Sequence, residues 1–357
     1  MKTYRIAAIP GDGIGTEVIE AGLEVLRAIA GREGFGLEVE DFDWGTERYL
    51  REGAMMPEDG LVLLKPFDAI YFGSAGDPRV PDHISLWGLR LAICQPFDQY
   101  ANVRPARVLP GLESPLRGIG PGDLDWVIVR ENSEGEYAGS GGRAHQGLPH
   151  EVGMDVAVFT RAGVERIQRF AFELARTREA RHLTLVTKSN AQRHGMVMWD
   201  DVFHAIRGEY PDVATDRVLV DAMTTRMVLH PDQIDVVVAT NLHADILSDL
   251  AAALTGSLGL APTANLNPER AYPSMFEPIH GSAFDIMGQG IANPIGSFWS
   301  ASMMLEHLGE PVAAKALLAA IEQVTAAGHP RPRDLGGDAT TRDITDAVLD
   351  AISGKNL

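Results

Sequence analysis

Asp245 and Asp249 stand four residues apart in the run Asn241-Leu-His-Ala-Asp-Ile-Leu-Ser-Asp249. On a helix this spacing puts both carboxylates on one face, where like charges repel by roughly a few tenths of a kcal/mol. A divalent cation turns that local cost into a site. Hard oxygen donors in a small cluster suit Mg²⁺ or Mn²⁺, which keep waters and draw their remaining ligands from a substrate. The plain alternative is a solvated helix face. Other chemistry-bearing residues gather where strands should end. Arg130-Glu-Asn-Ser-Glu-Gly-Glu-Tyr137 follows the run Trp126-Val-Ile-Val129, Lys188-Ser-Asn190 follows Leu183-Thr-Leu-Val-Thr187, and Asp221 closes Val218-Leu-Val220. An arginine, a lysine and an aspartate are thereby delivered into loops at sheet ends, the usual address of binding and catalytic groups in α/β proteins.

The elements that must position these groups alternate short β-branched runs with amphipathic stretches, the pattern of an α/β protein whose sheets are covered by helices. Strands are expected at Tyr4–Ile9, Leu37–Asp41, Ala69–Phe72, Trp126–Val129, Leu183–Thr187, Val218–Val220 and Val236–Ala239. Helices are expected at Thr16–Ile29, Arg161–Arg176, Met198–Arg207, Asp245–Leu254 and Ala313–Thr325. Gly/Pro-rich punctuation predicts loops at Pro110–Gly122 and Gly139–Pro149. Gly11-Asp-Gly-Ile-Gly15 lies between a strand and a helix and invites a dinucleotide-fold reading. Thr16 stands where the third glycine of G-x-G-x-x-G belongs, however, and a tight strand-to-helix turn explains the glycines equally well.

The chain has 357 residues, long enough for two domains, and 45% of them are hydrophobic, so a folded globular protein is expected. A net charge of −18 disfavours nucleic acid and anionic membrane as partners, because both are bound through Lys and Arg. Cys94 is the single cysteine, which excludes an intrachain disulfide and a thiolate metal cluster. No stretch reaches the roughly 18 apolar residues of a membrane span. The N-terminus reads as a buried strand and not as a signal peptide, so a cytoplasmic location is expected.

Taken together, Ile9-Pro-Gly-Asp-Gly-Ile-Gly15, Asn102-Val-Arg-Pro105, Arg130 to Tyr137, Lys188-Ser-Asn190, Asp245-Ile-Leu-Ser-Asp249 and Glu277-Pro-Ile-His-Gly-Ser-Ala283 resemble the isocitrate and isopropylmalate dehydrogenase family. Its members are metal-dependent, decarboxylating dehydrogenases of 2-hydroxy diacids that use a nicotinamide cofactor. Asp98-Gln-Tyr100, Arg130 to Tyr137 and Ala264-Asn-Leu-Asn-Pro-Glu-Arg270 are most similar to the branch acting on D-malate and tartrate. The resemblance implies a two-domain open α/β fold, with residues 1–101 plus 256–357 forming a cofactor-side domain and 102–255 a central substrate, metal and dimerisation domain. A sheet segment between about Gly139 and Phe159 is implied to clasp a second copy in a homodimer with shared active sites, in a cleft between the domains.

The resemblance also assigns roles. Asp245 and Asp249 are implied metal ligands for Mg²⁺ or Mn²⁺, joined by Asp221 from the partner subunit of the dimer. Lys188, also crossing from the partner, helps take the hydroxyl proton, and Tyr137 reprotonates the enol left after CO₂ departs. Arg104 and Arg130 match substrate arginines, whose forked guanidinium fixes a carboxylate by two parallel hydrogen bonds. A third arginine of the family is absent: Cys94 stands there, in Trp87-Gly-Leu-Arg-Leu-Ala-Ile-Cys-Gln-Pro96. Arg90, four residues earlier and expected on the same helix face, is the candidate replacement. Glu277, His280, Gly281, Ser282, Ala283, Asp285 and Asn293 match the cofactor loop, and Asp334 to Thr341 is expected over the adenine edge. Asp285 falls where an acid would accept ribose hydroxyls and repel a 2′-phosphate, which favours NAD. Phe284 replaces the family's usual proline.

The expectation is therefore NAD-dependent, Mg²⁺- or Mn²⁺-assisted oxidative decarboxylation of a (2R)-hydroxy diacid, D-malate first and tartrate second. Two alternatives stand beside it. One is 3-isopropylmalate dehydrogenase of leucine biosynthesis, disfavoured by Arg90 because its substrate needs an apolar pocket. The other is a silent ligand-sensing subunit, raised by Cys94 and countered by the presence of Lys188, Tyr137, Asp221, Asp245 and Asp249.

Overall fold

A computed structural model describes residues 2–354. In chain order its strands are β1 (Thr3–Gly11), β2 (Gly36–Asp41), β3 (Ala69–Ser74), β4 (Ala101–Arg107), β5 (Asp125–Glu131) and β6 (Gly135–Ala144). They continue with β7 (Val152–Val158), β8 (His182–Thr187), β9 (Ala214–Leu219), β10 (Val236–Ala239), β11 (Pro262–Leu266) and β12 (Ser274–Pro278). The chain divides into two compact units. The first holds the residues up to Gln99, Pro105–Leu124, and those from Ala252 onward; the second holds Tyr100–Arg104 and Asp125–Ala251. The stretch Pro105–Leu124 thus packs with the unit built from the chain ends, although it lies inside the span 102–255 read as central.

In the first unit the strands lie in the order β2-β1-β3-β12-β11. The pairs β1–β2, β1–β3 and β3–β12 are parallel and β11–β12 is antiparallel. β3 is buried along its whole length, which is why it reads as a continuous apolar run and not as an alternation. Gly11, Gly13 and Gly15 serve the turn out of β1. A Cβ on Gly11 would lie 2.0 Å from the Ser74 carbonyl oxygen, and one on Gly13 1.9 Å from that of Ser282. Asp12 is equally structural, accepting from the Thr46 amide at 2.7 Å and the Gly76 amide at 2.9 Å. The helix Ile295–Leu308, unforeseen in the sequence, is apolar nearly all round and carries no face periodicity; its Ser297 and Ser300 hydroxyls donate to backbone carbonyls.

In the second unit the order is β4-β5-β10-β8-β9, with parallel pairing from β5 to β9. The helix Arg161–Arg176 covers it, capped by Thr160, whose hydroxyl accepts from the Gly163 amide at 3.0 Å. Three expectations need correction. Arg130 is not in a loop: β5 extends through Glu131, so Arg130 is a strand residue. Asp221 does not end a strand, since β9 stops at Leu219 and Asp221 lies in the first turn of the helix Val220–Leu229, where its negative charge meets the positive helix end. The glycine-rich stretch from Gly139, read from composition as a loop, is strand as far as Ala144, paired antiparallel with β7 as the implied sheet segment at about Gly139–Phe159 has it. Glycine there is a packing requirement, because a Cβ on Gly141 would lie 2.1 Å from the Met154 carbonyl oxygen, and Gly139 at φ 70° sits where the register shifts.

Candidate active site

In the second unit, the side chain of Asp245 is the meeting point of the groups picked out from sequence. It projects from the helix Asn241–Thr255 and is about one-third exposed. Arg130, 2% exposed on β5, donates from Nη1 to Asp245 Oδ1 and from Nε to Asn241 Oδ1 at 2.9 Å. Arg104, buried on β4, donates from Nη1 to Ser248 Oγ at 2.6 Å and Asp245 Oδ1 at 3.2 Å, and from Nε to Asn102 Oδ1 at 2.8 Å. Tyr137, on β6, donates its hydroxyl to Asp245 Oδ2 at 3.3 Å, and the Arg130 guanidinium lies 5.3 Å from its ring centroid. Two guanidiniums and a phenol thus converge on one carboxylate, from three strands and a helix.

Asn102, Asn241 and Ser248 belong to this constellation and were not picked out as site residues. Their signal lies in spacing: Asn102 shares a strand face with Arg104, while Asn241 and Ser248 lie four before and three after Asp245 on its helix. Asn102 and Asn241 each hold the Nε of a guanidinium whose Nη1 reaches Asp245, and Ser248 accepts from the same Arg104 Nη1 that does so. Asp249 lies one turn beyond. Burial pushes its carboxyl above the usual carboxylate range, Arg104 and Arg130 pull it back, and the charge of Asp245 adds to the rise. An acid held up in this way on the face of a second acid is a position that a cation relieves.

Lys188, just past β8, makes an ion pair with Asp221, whose carboxyl is held down chiefly by that hydrogen bond. Asp221 is well exposed. Among the described residues no three His, Cys, Asp or Glu side chains converge on a metal-sized site, so Asp221 does not join Asp245 and Asp249 within one chain. Beside them, His243 is buried and pushed toward its neutral form by burial, with Glu136 opposing and Lys188 assisting.

The first unit carries the remaining predicted residues. Arg90 donates from Nε to Glu277 Oε1 at 2.8 Å and from Nη2 to Asn265 Oδ1 at 3.1 Å. It ends a π-helical turn, Leu86–Arg90, and a short α-helix Leu91–Cys94 follows. Cys94 is sealed in an apolar cluster with Ile9, Phe72, Ile93 and Met275. After β12, His280 Nε2 and Ser282 Oγ are buried atoms with no hydrogen-bond partner among the described residues. Burial lowers the His280 pKa. The loop is pinned from beneath, where the Ile14 amide donates to the Ser282 carbonyl at 2.9 Å. Ala283 has φ 40°, Gly281 and Asp285 are exposed, and Asn293 donates to Asp334 at 3.0 Å.

A family model described as isocitrate/isopropylmalate dehydrogenase matches residues 5–348. A probable tartrate dehydrogenase/decarboxylase of Agrobacterium vitis is 66% identical over 358 residues, covering 100% of both chains. The decarboxylating D-malate dehydrogenase of Escherichia coli (strain K12) is 52% identical over 359 residues, covering 99% of each. Among solved structures, isocitrate dehydrogenase from Methylococcus capsulatus superposes with a TM-score of 0.89 at 34% identity, over 98% of this chain and 99% of that one.

Proposed function

We propose, from the premise that the chain belongs to the isocitrate/isopropylmalate dehydrogenase family and is a decarboxylating hydroxy-acid dehydrogenase, that it oxidises and decarboxylates a (2R)-hydroxy diacid of the D-malate or tartrate type with NAD and Mg²⁺ or Mn²⁺. The observation that carries this reading is the convergence of Arg104, Arg130 and Tyr137 on Asp245. Buried forks of this kind suit a doubly charged acid. The relatives named for tartrate and D-malate point the same way.

The residues fit the two groups the reaction needs. Asp245 and Asp249 supply hard oxygens to a divalent cation, with Asp221 of a second copy completing the set. The orphaned His280 Nε2 and Ser282 Oγ are polar atoms waiting for a polar ligand, and Asp285, exposed two residues beyond Ala283, is the acid for ribose hydroxyls. When bound, the cation supplies Lewis-acid polarisation of the substrate oxygens, and the nicotinamide takes the hydride. Arg104 and Arg130 hold the carboxylates so that C2 keeps one orientation. Lys188 of the second copy accepts the hydroxyl proton as the C2–H bond breaks. Loss of CO₂ leaves an enolate, and Tyr137 returns a proton to its carbon.

A homodimer goes with this assignment. On β7, Val152, Met154, Val156 and Val158 occupy alternate positions and all are exposed, an apolar stripe on one face of a two-stranded ribbon. A second copy is its natural cover. Among the described residues no helix is long and apolar enough to cross a membrane.

The test is a panel of D-malate, the tartrate isomers, 3-isopropylmalate and isocitrate, scored for NADH and CO₂ with and without Mn²⁺. Mn²⁺-dependent turnover of D-malate or a tartrate is the expected outcome. Preference for 3-isopropylmalate, or silence across the panel with NAD bound, would overturn the reading.

A further inference from the structure

We infer that Arg90 is a positioning residue for the dinucleotide, acting through Glu277. The inference deepens the reading of the His280 loop as an NAD site and rests on it. Glu277 is the last residue but one of β12, which runs parallel to β3, so it lies at the C-terminal sheet edge where α/β proteins bind ligands. Three residues on is His280, and five on is Ser282, with the two orphaned polar atoms. Glu277 is therefore at the mouth of a loop in which two buried polar atoms lack partners among the described residues.

Its carboxylate is nearly buried and tightly held on one side. Oε1 accepts from Arg90 Nε at 2.8 Å and from Asn265 Nδ2 at 2.7 Å, while Arg90 Nη2 donates to Asn265 Oδ1 at 3.1 Å. The three side chains form a closed triangle. The Glu277 carbonyl is fixed as well, by the Ser300 hydroxyl at 2.8 Å. Both side-chain donors fall on Oε1, which leaves Oε2 oriented as an acceptor for a hydroxyl or amide of the ligand. Only a fork can serve Glu277 and Asn265 together, so lysine is not equivalent here. At the wide turn Leu86–Arg90, Leu89 and Cys94 enter the apolar cluster while Arg90, between them in sequence, faces the polar triangle.

The experiment measures NAD binding by calorimetry on the metal-free protein, and the KM for the hydroxy acid at saturating NAD, in Arg90→Lys, Arg90→Met, Glu277→Gln and the Arg90→Met/Glu277→Gln double variant. Arg90→Met and Glu277→Gln are each expected to weaken NAD binding by about 10-fold or more, the scale of one charge-assisted hydrogen bond. Arg90→Lys should fall between wild type and Arg90→Met. The double variant should be no weaker than the weaker single, since both remove one contact, and the hydroxy-acid KM should stay within about threefold. Unchanged NAD affinity in Glu277→Gln would sink the dinucleotide reading itself. Weakened binding in Glu277→Gln with none in Arg90→Met, or losses that multiply in the double variant, would overturn the positioning role alone. A raised hydroxy-acid KM in Arg90→Met with NAD affinity intact would make Arg90 a substrate contact instead. Should Arg90→Met not fold, Arg90→Lys takes its place in each comparison.

Discussion

Asp249→Asn separates what the acidic pair does for the fold from what it does for the cation. Asp245 and Asp249 face each other one helical turn apart, an arrangement that costs roughly a few tenths of a kcal/mol. Burial already disfavours the charge on Asp249. Without metal, the neutral amide should leave the protein as stable as wild type or slightly more so. With Mn²⁺ the order inverts. A ligand at 100 times its dissociation constant stabilises the folded state by about 2.7 kcal/mol. At about 2–4 °C per kcal/mol for a domain of 150–250 residues, that is an upward shift of about 5–10 °C in wild type. The variant lacks one of the two carboxylates the helix offers and should lose most of this shift. The assay is thermal melting of both proteins across a Mn²⁺ titration. Equal shifts in the two would refute the assignment of Asp249 as a ligand. A variant several kcal/mol weaker without metal would show that Asp249 serves the fold.

Arg130→Lys keeps a positive charge but cannot hold Asn241 while reaching a carboxylate, so kcat/KM for the hydroxy acid should fall about 10- to 100-fold; a change within threefold would contradict the fork. Glu131 is buried, and that burial raises its pKa to about 7 against opposing hydrogen bonds from Ser133 and Glu134. A raised acid favours folding below its unfolded pKa of 4.5 and loses that contribution as pH rises through about 7, a penalty of about 3 kcal/mol at pH 8. Glu131→Gln should therefore gain stability relative to wild type between pH 5 and pH 8 in urea unfolding, and a pH-independent difference would refute the shift. Asp285→Lys removes the carboxylate proposed to repel a 2′-phosphate. The ratio of kcat/KM for NADP to that for NAD should rise at least about 10-fold, and an unmoved ratio would place cofactor choice elsewhere.

The sequence was most legible where chemistry and periodicity coincide. Arg161–Arg176 could be bounded because Val164, Ile167, Ala171 and Phe172 fall at helical spacing and Thr160 caps the start. Arg104, Arg130, Tyr137 and Asp245 share a motif-rich background, and the structure gathers them. Their holders were harder to see: Asn102, Asn241 and Ser248 are small polar residues that a sequence offers in dozens, and only tertiary distance distinguishes them. β4 was missed because Pro105 interrupts it; composition read the start of β6 as a loop, where the resemblance implied sheet, because glycine marks a close approach there and not a turn. The pairing of Arg90 with Glu277 spans 187 positions and depends on one irregular turn, which no local periodicity encodes.

Asp245 also has a consequence for the order in which the site is filled. Its carboxylate occupies the very guanidiniums that a diacid would need, so under the proposed function it is an internal competitor for the substrate. A cation drawing on Asp245 weakens that competition, and an anion taking over the arginines leaves Asp245 freer to bind the cation. Under the proposed function each ligand is therefore expected to raise the affinity for the other, by the same factor in both directions. The resting ion pairs keep the two cationic forks from remaining uncompensated in the unliganded protein, and they discourage either ligand from settling alone.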